Sequence, residues 1–85
     1  MFYEYAELSD GTQVASNFLA DGTGEVSVEK PIELGFESAR CSIPAFEWSE
    51  VEGFSKAKMD VLDSFVRINA PLILRLAREV SETYA

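Results

Sequence analysis

The sequence predicts an α+β domain of order ββββαα, a four-stranded antiparallel β-meander with two C-terminal helices packed on one face. Three observations carry this. Two Asp-Gly pairs punctuate the first half, the segments beside them mix aromatic and β-branched residues with polar ones, and the C-terminal third repeats apolar residues at intervals of three and four. At 85 residues and 9.4 kDa the chain fits one domain, residues 1–85, with sheet over 1–43, a connecting loop over 44–54 and helices over 55–85. Its 47% hydrophobic and 26% charged residues match folded proteins and not disordered chains.

Asp10-Gly11 and Asp21-Gly22 supply the positive φ that tight hairpin turns demand, which predicts strands over roughly 2–8, 13–19 and 25–30. The third alternates, with Val26 and Val28 facing inward and Glu25, Ser27 and Glu29 facing water. Pro31 cannot donate to a ladder and so marks a strand end or edge. After Gly35 a fourth strand, 36–43, puts Ala39, Cys41 and Ile43 on one face and Ser38, Arg40 and Ser42 on the other, and Pro44 closes it.

Residues 44–54 have no strict period and read as a structured connection. Ser55 fits a helix N-cap and Phe54 a hydrophobic staple onto Met59. Lys56 and Lys58 then occupy a first turn that prefers acids, which calls for a nearby carboxylate such as Glu50 or Glu52. Val61, Leu62, Phe65, Ile68, Leu72, Leu76 and Val80 form the stripe expected to pack on the sheet. One straight helix over 55–84 would be about 45 Å long, against a diameter of about 30 Å for a spherical domain of this size. Asn69 as a second N-cap, with Pro71 in the new first turn, therefore predicts two helices, 56–68 and 70–82. The competing expectation is one kinked helix that projects and pairs with another subunit.

Composition excludes several functions. Fifteen acids against seven bases give a net charge of -8, unsuited to direct binding of nucleic-acid phosphates. The absence of His removes the commonest general base and zinc ligand, and no cofactor or metal motif is present. Cys41 is the one cysteine, which points to a reducing cytoplasm, and Arg40, its neighbour, would project from the opposite face of a strand. Cys41 thus reads as a small core residue and not a nucleophile. Met1-Phe2-Tyr3-Glu4-Tyr5 lacks the regions of a secretory signal, and Asn69 and Arg75 interrupt the longest apolar tract before it reaches the roughly 20 residues of a membrane span. The charges are also segregated: residues 1–54 hold 11 acids and 2 bases, residues 55–85 hold 4 acids and 5 bases.

The patterns Gly35-Phe36-x-Ser38-Ala39-x-Cys41, Pro44-x-x-x-Trp48, Gly53-Phe54-Ser55 and Asn69-Ala70-x-Leu72-Ile73 resemble those of small uncharacterised bacterial proteins. The likeness covers the C-terminal half. It implies a stand-alone bacterial protein and transfers no functional residue.

These features lead to a noncatalytic acidic interaction module that docks a basic or nucleic-acid-binding protein. Phe46 and Trp48 would anchor the contact, and Glu47, Glu50 and Glu52 would steer it. The alternative is a small-ligand binder with a pocket between sheet and helices, lined by Tyr5, Trp48 and Phe65 with Arg40 as its polar handle. An enzyme ranks last, since no carboxylate pair has a specific spacing. A chain this small buries only about 60–65% of its unfolded surface, which favours a homodimer through an edge strand or a leftover apolar helix face.

Overall fold

A computed structural model of the chain, which describes residues 1–84, is α+β: one antiparallel sheet followed by one C-terminal helix. The strands are β1 (Tyr3–Glu7), β2 (Gln13–Phe18), β3 (Gly24–Ile32), β4 (Gly35–Ile43) and β5 (Glu47–Glu52), in spatial order β1-β2-β3-β4-β5, and the helix is α1 (Lys56–Tyr84). Ala85, the last residue of the predicted helical segment, lies outside the described residues.

Both Asp-Gly pairs make the same hairpin. Gly11 and Gly22 sit at φ 89° and 88°, and their amides donate to the carbonyls of Leu8 and Leu19. The preceding aspartate locks each turn: Asp10 Oδ1 accepts from the amide and hydroxyl of Thr12, and Asp21 Oδ1 from those of Thr23. The β3–β4 hairpin closes on Ile32 and Gly35. Pro31 does not end the strand: β3 runs on to Ile32 and Pro31 pairs with Phe36 of β4, although it lies beyond the last β2 partner, Glu29.

The core lies between sheet and helix. Val14, Val26, Val28, Ala39, Cys41 and Ile43 from the sheet meet Phe54, Leu62, Val66 and Ile73. Gly24 makes room for this packing, since a Cβ there would stand 3.1 Å from both Ile43 and Leu74. The predicted faces of β3 and β4 hold, apart from Ser27, which is buried on the opposite face across from Arg40.

Several expectations are corrected. The connecting loop contains a fifth strand: Glu47, Trp48 and Ser49 pair with Ser42, Cys41 and Arg40, followed by an irregularity at Glu50, whose φ is 52°. The two helices are one. Asn69 does not cap a second helix; its Nδ2 donates back to the Phe65 carbonyl and its Oδ1 accepts from Tyr5 Oη. The molecule measures 36 × 23 × 21 Å, longer in one direction than the roughly 30 Å expected, with a radius of gyration of 12.5 Å. Finally, the buried helix stripe is Leu62, Val66, Ala70, Ile73 and Ala77, whereas Val61, Ile68, Leu72 and Leu76 are exposed. The helix start conforms to the sequence: Ser55 Oγ accepts from the Lys58 amide, and Phe54 and Met59 join one cluster. The carboxylate that answers Lys58 is Asp10, not Glu50 or Glu52.

Candidate functional site

A strand buries alternate residues, so the helix covers one face of the sheet and leaves the other open. Register places Glu4 and Glu7 of β1, Glu25 and Glu29 of β3, and Glu47 and Glu52 of β5 on the open face. Glu50, at the irregularity, reaches the same face through Arg40. Among the described residues of this face Arg40 is the one cation alongside these carboxylates. Its guanidinium lies 3.4 Å from Glu25, 3.7 Å from Glu50 and 4.7 Å from the centre of the Phe2 ring.

Two shallow depressions flank Arg40. One, of about 280 Å³, is lined by Ser27, Glu29, Ser38 and Glu52 among others; the second, of about 420 Å³, by Glu25, Ser42, Ser49 and Glu50. Across from Pro31, Phe36 stands 59% exposed at one end of this face. No three His, Cys, Asp or Glu side chains among the described residues converge as a metal site would require. The carboxylates are spread out, and their chemistry is that of a long-range field and of hydrogen-bond acceptors.

The predicted anchors occupy the other side of β5. Trp48 pairs with buried Cys41, and its Nε1 donates to Asp63 Oδ1 of α1 at 2.9 Å. Asp63 Oδ2 accepts from Arg67 Nε at 2.8 Å, and the Arg67 guanidinium lies 4.6 Å above the Phe46 ring. Phe46, Trp48, Asp63 and Arg67 thus form a clasp that holds β5 and its entry turn to the helix. The Trp48 indole, followed by the Arg67 guanidinium, holds the Asp63 carboxyl below the usual carboxylate range. Of the five predicted partner-binding residues, Glu47 and Glu52 lie on the open face, Glu50 bonds to Arg40, and the two aromatics brace the fold.

The four residues of the ligand reading do not converge. Tyr5 and Phe65 meet edge-on with ring centres 6.3 Å apart, Trp48 belongs to the clasp at the opposite sheet edge, and Arg40 is on the open face. The depression beside Tyr5 holds about 60 Å³, below the roughly 300 Å³ at which small-molecule sites begin. Burial, with the Asp63 charge second and Arg67 opposing, pushes the Cys41 thiol up to about 11, so its thiolate is scarce near neutrality.

Sequence reasoning put Glu25 and Glu29 on the water-facing side of β3 but not in the candidate site, and it missed Phe2 and Phe36. The signal was available in part: Glu25, Ser27 and Glu29 alternate with buried valines, and hairpin register carries that alternation across to Arg40. Asp63 and Arg67 were not recognisable as partners of Trp48 and Phe46, because that contact depends on how α1 crosses the sheet.

No helix among the described residues is long and apolar enough to cross a membrane. Compared with protein-family models, with curated proteins and with solved structures, the chain matches none.

Proposed function

We propose that the protein is a noncatalytic interaction module of the bacterial cytoplasm whose open sheet face docks a basic, nucleic-acid-binding protein. The observation that carries this reading is the uncovered face that Glu4, Glu7, Glu25, Glu29, Glu47, Glu50 and Glu52 share with Arg40. A predominantly negative face steers a basic partner, rejects nucleic acid itself and stays hydrated when alone. Arg40 fixes Glu25 and Glu50 in place, which lowers the ordering cost of the contact. The exposed ring of Phe36 supplies an apolar anchor, while Phe46 and Trp48 keep the β5 edge in register beneath Glu47 and Glu52.

The test is quantitative capture of a basic bacterial protein by immobilised wild type, compared with a Glu29→Gln/Glu47→Gln/Glu52→Gln variant over a salt series. The expected result is retention that falls as salt rises, is lost in the triple variant and is weakened by Phe36→Ala. Capture indifferent to both salt and these substitutions would refute the reading.

A further inference from the structure

The same helix that seals the core carries a second apolar stripe that the sheet does not use. Val61, Ile68, Leu72 and Leu76 are 58%, 78%, 39% and 37% exposed, and half-buried Phe65 continues the row. These residues lie on one side of α1 over about 22 Å. A row of exposed apolar side chains along one helix face is the kind of surface that commonly marks a contact site.

We propose that this stripe is a homodimer interface, occupied by the α1 stripe of a second copy running antiparallel. The row is symmetric in position. Val61 stands seven residues before Ile68 and Leu76 seven after Asn69; Phe65 stands three before Ile68 and Leu72 three after Asn69. A two-fold axis between Ile68 and Asn69 therefore sets Val61 on Leu76 of the second copy and Phe65 on Leu72, the self-complementarity an isologous contact needs.

The charges along the stripe select the same arrangement. Asp60, Arg75 and Arg78 are exposed beside it, the two arginines 3.9 Å from Glu79 and Glu82 of their own helix and so shared with any acid brought across. The antiparallel axis places Asp60 between Arg75 and Arg78 of the second copy, twice over. A parallel pair would oppose Arg75 to Arg75 and Asp60 to Asp60. The helical portion, residues 55–85, holds 4 acids and 5 bases, so two helices approach without the repulsion that two sheet faces would meet. A standard dimer face covers about 800 Å² per partner. The stripe is its apolar centre and the charged flank its rim. The open sheet face of each copy stays free, so this assembly is independent of the docking reading above.

Sedimentation equilibrium of the full chain from about 1 to 100 µM tests the proposal, with helicity followed by circular dichroism. The wild type is expected at twice 9.4 kDa. Ile68→Glu, at an exposed position, is expected to keep the fold and to raise the dissociation constant at least about 100-fold, since the axis duplicates each change. Asp60→Arg should weaken the dimer, and Asp60→Arg combined with Arg75→Asp should recover most of the loss. A wild type that stays monomeric throughout, or a dimer that Ile68→Glu leaves intact, overturns the interface. Failure of the double variant to recover, with helicity unchanged, overturns the antiparallel arrangement.

Discussion

Asp63 does two jobs with one carboxylate. Oδ1 accepts from the Trp48 indole and Oδ2 from the Arg67 guanidinium, which in turn covers Phe46. A carboxylate bonded to two donors favours its charged form, and the carboxyl is held below its ordinary value. The sign of the linkage follows. The contribution to stability is fully present above the ordinary carboxylate value of about 3.9 and is lost as pH falls through the lowered value in the folded protein. Asp63→Asn is therefore expected to flatten the acid limb of stability in urea melts between pH 2 and 6 without abolishing it. Asp10 and Asp21 keep depressed values of their own, the first through Lys58 and Thr12, the second through Thr23. An acid limb of unchanged slope would mean that the clasp is not maintained in solution. At pH 7 Trp48→Phe should cost roughly 1–2 kcal/mol, because it strips a charged acceptor of a donor.

At the level of the element, α1 runs through a proline. Pro71 is exposed, it removes one backbone donor, and its neighbour Asn69 is tied to Phe65 and Tyr5 instead of capping a new start. Continuity wins because Leu62, Val66, Ala70, Ile73 and Ala77 form one unbroken buried stripe over the sheet, and a bend at Asn69 would pull half of it away. A proline inside a helix costs up to about 3 kcal/mol relative to alanine, so Pro71→Ala is expected to raise stability by about 1–3 kcal/mol and to leave the fold unchanged. A destabilised Pro71→Ala would instead imply that the proline shapes a bend the packing requires.

The same contest explains what was legible in the sequence. β2, β3 and β4 were readable because turn glycines bracket them and valines alternate with polar residues. β5 was not, because Phe46 and Glu50 take left-handed backbone, at φ 58° and 52°, and interrupt its period after three paired residues. In the helix, Asn69 and Pro71 are true local breaking signals that tertiary packing overrides. The row through Val61 and Ile68 is the more hydrophobic of two stripes, and the buried one, which shares only Leu62 with the expected stripe, carries a weaker signal in its alanines. The open face was half legible: the acids were visible, but their placement on one face with Arg40 depends on strand order and register.

At the scale of the whole molecule, the helix neutralises itself while the sheet does not. Arg67, Arg75 and Arg78 each pair with an acid four residues away along α1. On the open face Arg40 answers Glu25 and Glu50, while Glu29 and Glu52 flank Ser38 from β3 and β5 and Glu47 lies further along β5. Like charges held together raise the energy of the compact state, and salt relieves the penalty, since screening shortens from about 30 Å at 0.01 M to about 8 Å at 0.15 M. Replacing Glu29, Glu47 and Glu52 together by Gln should therefore raise the melting temperature by roughly 2–5 °C at 0.01 M salt, with the gain shrinking towards zero near 1 M. Arg40→Gln should act oppositely, lowering it most where salt is scarce. Thermal melts of the three proteins over a salt series separate the contributions: a triple variant no more stable than wild type at low salt would mean that these carboxylates do not act as one field. The expected outcome is a sheet face that trades stability for charge, with the variant that folds best capturing a basic partner worst.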